Sequence, residues 1–249
     1  MNIRDEAVLR ELNLYPLWVR RDVPAPVNLT SGQVDVEVAA PVPTSSLGEA
    51  GGLNPSYAPA PTWDALKQQV HDCTACKLRA GCTQTVFGVG DEKAEWLFVG
   101  EAPGADEDAQ GEPFVGQAGK LLDNMLAAIK LQRGSKVYIA NVVKCHPAVD
   151  EAGRQLPPKS DEIAQCLPYL QQQISLIKPK LIVALGKTSA TALLGQEATL
   201  GSLRGKVHDY HGVPLIITYH PAYLLRMPAE KANAWIDLRL AVDTMQSAA

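Results

Sequence analysis

Residues 96–104 read Trp-Leu-Phe-Val-Gly-Glu-Ala-Pro-Gly, an apolar run that ends in a loop containing glycine and proline. A short apolar run bounded by turn residues is typical of a strand buried on both faces. Three later runs have the same character, at 137–141 (VYIAN), 180–185 (KLIVAL) and 214–218 (PLIIT). Amphipathic stretches alternate with these runs near 64–72, 117–131, 160–177, 187–194 and 229–246. The alternation predicts a three-layer α/β/α fold around a mainly parallel, four-stranded central sheet.

Composition narrows the class of protein. The chain has 249 residues, of which 46% are hydrophobic, enough to build a core and to exclude global disorder. Its formal charge of −4 argues against coating nucleic acid by charge alone, but not against a site-specific enzyme with a local basic face. No apolar run approaches the ~20 residues that span a bilayer. The N-terminus has no secretory h-region, so we expect a cytoplasmic protein.

The chain changes character near residue 62. Residues 3–14 have apolar residues at helical spacing, and Leu17 and Trp18 follow in an apolar cluster with a basic end. Residues 22–62 are rich in Pro, Ala, Gly and Ser and cannot bury enough apolar surface to order themselves. We interpret 1–21 as a partner-binding anchor, 22–62 as a linker and 63–249 as the main domain. The alternative is that the first helix packs on that domain.

Polar residues follow three of the predicted strands. Glu101 begins the Gly/Pro-rich loop after the first strand, Asn141 ends the second, and His220 follows the fourth. Ligands of parallel α/β sheets bind beyond the carboxyl ends of the strands, where these residues meet. Each also has an ordinary interpretation as a turn or cap residue. Phe114, near Gly111 and Gly116, is either a core residue or a flat contact surface.

The cysteines indicate a metal site. Cys73 and Cys76 form a Cys-x-x-Cys pair before the sheet, Cys145 follows the second strand, and Cys166 lies on the next helix. Four thiolates suit a structural Zn²⁺ or a [4Fe–4S] cluster, and their spacing does not separate the two. Cys82 is a fifth thiol, for which an ordinary buried cysteine is a sufficient explanation.

Three long motifs carry a family resemblance: GEAPGADEDAQGEPFVGQAGKLLDNML, VYIANVVKCHP and HPAYLLR. In this order they resemble the family 4, iron–sulfur-containing uracil-DNA glycosylases over roughly residues 63–245. The resemblance implies the fold of that superfamily and a monofunctional hydrolase that removes a flipped-out uracil and leaves an abasic site. It also implies a [4Fe–4S] cluster held by Cys73, Cys76, Cys145 and Cys166, with Cys82 outside the ligand set.

The resemblance implies a role for each residue of the loops. Phe114 stacks on the uracil, Asn141 reads its Watson–Crick edge, and His220 stabilises the charge that develops on O2. Glu107 borders uracil C5, where it would obstruct a thymine methyl group. Gly100 belongs to the same base-binding loop.

The residue that positions the attacking water stays open. Ala102, also in the base-binding loop, occupies the place where the best-known uracil-DNA glycosylases have an aspartate. Glu101 is the neighbouring carboxylate and our candidate. The alternative is that Glu101 is structural and that stabilisation of the leaving group supplies most of the rate, since a dissociative reaction needs little from a base.

Candidates for DNA contacts follow His220. Leu224 and Leu225 are candidates for the wedge that fills the vacated base stack, with Arg226 on a nearby phosphate. A local basic face has five candidates, each of which is otherwise an ordinary solvated side chain: Lys120, Lys144, Lys187, Arg204 and Lys206.

The N-terminus resembles a second family. IRDEAVLRELNLYPLWVRRDVP is similar to the extreme N-terminus of the psi subunit of bacterial DNA polymerase III, which ties that subunit to the clamp loader. Leu17 and Trp18 would be the buried anchors. The main hypothesis is therefore an active glycosylase that binds clamp-loader subunits. The alternative is a non-catalytic, psi-like subunit that uses a glycosylase fold as a scaffold.

Overall fold

The structure is a computed structural model that describes residues 62–247. The predicted anchor at 1–21, with Leu17 and Trp18, lies outside the described residues, as does the predicted linker apart from its last residue. None of the helices within 62–247 is long and apolar enough to cross a membrane.

A single mixed sheet organises the described residues. Its strands are β1 (Val89–Gly90), β2 (Trp96–Gly100), β3 (Val137–Asn141), β4 (Leu181–Leu185), β5 (Val207–Tyr210) and β6 (Val213–Thr218). They are arranged in the order β1-β3-β2-β4-β6-β5. The four central strands are parallel, whereas β1 and β5 pair antiparallel at the two edges.

The four predicted strands are confirmed, but the sheet has six strands rather than four. β2, β3 and β4 are buried along their whole length, which is why their apolar runs stand out in the sequence. β5 (VHDY) is mostly exposed, and β1 has only two residues. Edge strands face water and carry no continuous apolar run, so pattern alone does not identify them.

Helices connect the strands. They are α1 (Trp63–His71), α2 (Leu78–Gly81), α3 (Ala105–Gln110), α4 (Gln117–Ala128), α5 (Ser160–Ile177), α6 (Lys187–Leu194), α7 (Leu200–Leu203), α8 (Pro221–Arg226) and α9 (Lys231–Ser247). The five predicted helices correspond to α1, α4, α5, α6 and α9. The four that the sequence did not predict have four to six residues each.

Side chains that alternate along the strands bury both faces of the sheet. On one face Leu97 and Val99 of β2 pack with Leu66 of α1 and Leu170 of α5. On the other face Trp96 and Phe98 of β2 join Leu122 and Leu126 of α4 and Ala241 of α9. This burial on both faces confirms the predicted three-layer α/β/α architecture.

The strand register brings the functional loops to one edge of the sheet. Gly100, the last residue of β2, lies opposite Asn141, the last residue of β3. β4 and β6 run in the same direction and end at Leu185 and Thr218, next to each other. The segments that follow all four strands therefore meet at the carboxyl edge, as predicted.

Candidate active site

A cavity of about 700 Å³ opens at the carboxyl edge of the sheet. It brings together most of the site residues predicted from the sequence: Glu101, Ala102, Glu107, Phe114, Asn141, His220 and Arg226. These residues come from the segment after β2, the end of β3 and the segment after β6. The cavity combines apolar surface with a few convergent polar groups, which is the usual character of a small-molecule or base-binding site.

Asn141 presents an amide without a protein partner on its oxygen. The residue is 2% exposed, and its Oδ1 is buried with no hydrogen-bond partner among the described residues. Gly100 makes this position possible, because a Cβ there would collide with Asn141 Oδ1 and would lie 2.6 Å from Phe114 Cζ. A buried acceptor without a donor is costly, so an amide in this state is suited to a ligand that brings an N–H group.

Phe114 is held in an uncommon backbone conformation. Its φ is 57°, in the left-handed region that bulky residues rarely adopt. The guanidinium of Arg133 donates to the carbonyl oxygens of Pro113 (3.0 Å) and Phe114 (2.5 Å). Gly119 permits the turn, because a Cβ at that position would collide with the Phe114 carbonyl. The surrounding contacts therefore fix where the Phe114 ring lies.

His220 is a neutral donor at ordinary pH. The residue is half-buried at the wall of the cavity, and desolvation lowers the pKa of His220 to about 4, with the positive charge of Arg226 acting in the same direction. The backbone N–H of Ala222, in the first turn of α8, donates to His220 Nδ1 at 3.2 Å. Since Nδ1 accepts that bond, the proton of the neutral ring is on Nε2.

Glu101 lines the cavity and is tied down on one side. The hydroxyl of Thr188, in the first turn of α6, donates a short hydrogen bond to Glu101 Oε2. Oε1 has no protein partner among the hydrogen bonds of residues 62–247. This arrangement fixes the carboxylate while leaving one oxygen able to accept a hydrogen bond from water or a ligand.

Glu107 connects the two halves of the base-binding loop. Its Oε2 accepts from the Gly104 N–H (2.9 Å), and its Oε1 accepts from the N–H groups of Val115 (3.0 Å) and Gly116 (3.2 Å). The carboxylate thus braces the backbone next to Phe114. The family resemblance implies that Glu107 borders the uracil, and the structure shows that Glu107 also holds this backbone in place.

The two wedge candidates differ sharply in exposure. Leu224 is 1% exposed and packs with Leu121, Met125 and Leu238 between α4 and α9. Leu225 is 44% exposed. A wedge has to reach the base stack, so the buried position of Leu224 corrects its assignment and leaves Leu225 as the candidate.

The five candidates for a basic face also differ in exposure. Lys120, Lys187 and Lys206 are exposed, and Arg204 stacks 4.0 Å above the ring of Tyr219 while its Nε donates to Asp237 Oδ2 at 2.7 Å. Lys144 is 1% exposed, so it cannot belong to a DNA-facing surface. Burial lowers the pKa of Lys144 to about 8.

The four cysteines predicted as ligands line one cleft, and they are Cys73, Cys76, Cys145 and Cys166. Cys82 is not among the residues that line this cleft. Burial raises the pKa of Cys166 to about 12 and raises that of Cys145 further. Thiols in such surroundings ionise only when a cationic centre binds them. Within residues 62–247 no three Cys, His, Asp or Glu side chains converge closely enough to hold a single metal ion.

Sequence reasoning missed several residues at the cavity. Arg154 and Gln155, which line it, come from the long connection between β3 and α5. Thr188 reaches Glu101 from α6. None of these three carries a local signal, because they approach the site through tertiary packing. The Gly186-Lys187 turn after the β4 run was the one sequence feature that could have directed attention to Thr188.

Comparison with known proteins gives a consistent result. The sequence profile of the uracil DNA glycosylase superfamily matches residues 87–239. The type-4 uracil-DNA glycosylase of Pyrobaculum aerophilum is 43% identical over 185 residues, which cover 70% of this chain and 90% of that protein. The type-4 uracil-DNA glycosylase of Archaeoglobus fulgidus is 42% identical over 173 residues (66% and 84%), and that of Thermotoga maritima is 40% identical over 165 residues (66% and 83%).

Proposed function

The chain belongs to the uracil-DNA glycosylase superfamily and is a hydrolytic uracil-DNA glycosylase, and we propose that its cavity at the carboxyl edge of the sheet is the active site. The enzyme acts in DNA repair on uracil-containing DNA. The observation that carries the assignment of the cavity is the buried, unpartnered Oδ1 of Asn141 beside the Phe114 ring.

Base recognition follows from these two residues. A uracil extruded from the helix stacks on Phe114 and presents its N3–H to Asn141 Oδ1, while the Asn141 amide donates to uracil O4. Cytosine has no proton on N3 and carries an amino group in place of O4, so an Asn141 amide in this orientation would lose both hydrogen bonds. Glu107 borders the C5 side and opposes the methyl group of thymine.

The chemistry breaks the bond between uracil N1 and the C1′ of the sugar. Both electrons of that bond leave with the base, so negative charge develops on uracil O2, where the neutral His220 donates through Nε2. Water adds to C1′ and loses a proton, which through solvent neutralises the departing uracil anion, and an abasic site is left. Glu101, held by Thr188, positions this water. The low pKa of His220 supports a role as a hydrogen-bond donor rather than as an imidazolium.

DNA is held at the mouth of the cavity. Leu225 is exposed beside Arg226 on α8, so Leu225 can occupy the gap left by the extruded base while Arg226 contacts a phosphate. Arg154, whose side chain is largely exposed, lies at the same mouth.

We further propose that Cys73, Cys76, Cys145 and Cys166 hold a [4Fe–4S] cluster. These four thiols fit a [4Fe–4S] cluster, since all four line one cleft and the buried cation Lys144 lies beside Cys166. Four cysteine thiolates are the usual ligand set of a [4Fe–4S] cluster. A cluster supplies a rigid link between the segment before the sheet, β3 and α5. No disulfide links the five cysteines, all of which lie within residues 62–247.

We also propose that residues 1–21 bind a clamp-loader subunit through Leu17 and Trp18. The support is the similarity of this segment to the psi N-terminus and the Pro-rich composition of 22–62. Deleting residues 1–21 should abolish co-purification with clamp-loader subunits and leave uracil excision unchanged. Undiminished co-purification of the deletion variant would refute the tether.

The assay for the active site uses a single-stranded oligonucleotide with one uracil, followed by alkali to cut any abasic site. The full-length protein should cut the strand. Asn141→Ala should lower excision by about 100- to 1,000-fold, because an essential pair of hydrogen bonds to the base is lost. Asn233→Ala, at an exposed asparagine that bonds Glu230, should leave excision unchanged. Unchanged excision by Asn141→Ala would refute the assignment of the cavity.

A further inference from the structure

Lys144 is a fully buried cation whose ammonium group lies among neutral partners. It is 1% exposed, and its Nζ donates to the backbone carbonyl of Asn141 at 2.8 Å and to Gln173 Oε1 at 2.6 Å. None of the ion pairs within residues 62–247 involves Lys144. A buried charge is expensive unless an opposite charge lies nearby. The position therefore indicates an anionic group close to Lys144.

The cysteine cleft lies next to this lysine. The backbone N–H of Lys144 donates to Cys166 Sγ at 3.2 Å, and Cys145 is the next residue in the chain. Lys144 itself lines the cleft formed by the four cysteines. Four thiolates around an iron–sulfur core leave a net negative charge, which is the counter-charge that the lysine lacks.

The ammonium end of Lys144 contacts the backbone of the uracil pocket. Lys144 Nζ bonds the carbonyl oxygen of Asn141, the residue whose side-chain oxygen is buried and unpartnered. Gln173, on the same helix as Cys166, orients the ammonium and is itself fixed by a bond from its Nε2 to the Phe87 carbonyl (2.9 Å). One residue thus contacts both sites, since its backbone N–H donates to Cys166 Sγ and its ammonium donates to the carbonyl of the residue that carries the base-reading amide.

We propose that Lys144 is a positioning residue that couples the cysteine site to uracil recognition. The anionic cysteine site retains the ammonium, and the ammonium holds the end of β3 so that the Asn141 amide faces the base. This inference rests on the proposed cluster and the proposed role of Asn141. It assigns the cysteine site an effect on base selectivity in addition to its effect on folding.

The test compares Lys144→Met with Lys93→Met. Methionine keeps the length of the buried chain but removes the charge, and Lys93 is an exposed lysine in the turn before β2, at the opposite edge of the sheet. The readout is the affinity for two oligonucleotides, one with the non-cleavable analogue 2′-fluoro-2′-deoxyuridine and one with thymidine at that position. Iron per chain and its rate of loss to a chelator are measured on the same samples.

Coupling predicts that Lys144→Met lowers the uracil-over-thymine affinity ratio about tenfold and speeds the loss of iron, whereas Lys93→Met changes neither. The double variant Lys144→Met/Asn141→Ala should have the same ratio as Asn141→Ala alone, because both changes act through one amide. A wild-type ratio in Lys144→Met, or an additive loss in the double variant, would overturn the proposal. A purely structural role would lower the melting temperature without changing the ratio.

A second variant covers the case in which Lys144→Met does not fold. Gln173→Leu removes one hydrogen-bond acceptor of Lys144 Nζ and keeps the lysine. The uracil-over-thymine affinity ratio should therefore fall, but by less than in Lys144→Met. An unchanged ratio in this variant overturns the proposal. If the wild-type protein itself lacks iron or does not excise uracil, the proposed function fails. If wild type is active and only the ratio test is negative, the coupling alone fails.

Discussion

The ring of Phe114 packs against the ring of His220, with centroids 5.5 Å apart and planes inclined by 31°. The two residues come from the loops after β2 and β6, which lie on either side of β4 in the sheet. Their contact forms a corner of the cavity before any base enters. The surface on which the uracil stacks and the group that meets its developing charge are therefore fixed relative to each other, as electrostatic preorganisation requires.

The burial of His220 makes stability depend on pH. Its pKa falls from 6.5 to about 4 on folding, so between these values the unfolded chain binds a proton that the folded chain does not. Stability should therefore decrease as pH falls from about 6.5 to about 4, by about 3 kcal/mol from this group. Urea unfolding at several pH values measures the loss, which His220→Gln should reduce. His211→Asn, at an exposed histidine for which the structure shows no side-chain ion pair within residues 62–247, serves as control and should keep the wild-type pH dependence.

Glu101 and Thr188 can be separated by kinetics. Glu101→Gln should lower kcat for uracil excision about 100-fold with little change in KM, because water positioning acts on the chemical step. Thr188→Val removes the hydroxyl that holds Glu101 and should lower kcat by less. Thr191→Val, on the same helix, is the matched control and should match wild type. If Glu101→Gln retains full kcat, stabilisation of the leaving group supplies the rate and the carboxylate is structural.

The cysteines give a series with an internal control. Ser in place of Cys73, Cys76, Cys145 or Cys166 should reduce iron and sulfide per chain and bleach the visible absorbance, because serine is a poor ligand for iron–sulfur clusters. Cys82→Ser should retain iron, although Cys82 is also buried and lies close enough to Cys145 to raise the pKa of that thiol. Loss of iron from Cys82→Ser, with retention in one of the other four, would change the assigned ligand set.

The two neighbouring leucines of α8 should respond differently to truncation. Leu225→Ala should leave the melting temperature unchanged and reduce excision from duplex DNA more than from a single strand, because only the duplex has a stacked gap to fill. Leu224→Ala should destabilise the protein by about 2–5 kcal/mol, since it leaves a cavity between α4 and α9. Equal excision of uracil from duplex DNA by Leu225→Ala and wild type would exclude the wedge.

The sequence predicted the centre of the fold because the centre is encoded locally. β2, β3 and β4 are buried throughout, so each appears as an apolar run, and Glu101 directly follows β2 while Asn141 ends β3. α3 could not be found in this way. Its sequence, ADEDAQ, has no apolar periodicity, and it is stabilised by the bonds from Gly104 and Gly116 to Glu107.

The sequence misassigned the exposure of residues whose burial depends on tertiary packing. Leu224 and Leu225 are chemically identical, and only the orientation of α8 against α4 decides which is exposed. Lysine is usually a surface residue, but the turn after β3 directs the side chain of Lys144 beneath Asn141. Local sequence propensity contains no information on how α8 is oriented or on the distant groups that accept from Lys144. The burial of Leu224 and of Lys144 could therefore be seen only in the three-dimensional structure.

The strand order also determines when a newly made chain can act. β4 separates β2 from β6 in the sheet, and β6 is the last strand to be synthesised. A ribosome that has released the chain as far as residue 210 has exposed Phe114 and Asn141, but not His220. Pairings between distant segments form late because closing long loops costs entropy. A chain that stops before residue 220 lacks the donor that we propose for uracil O2, and we expect no uracil excision from it.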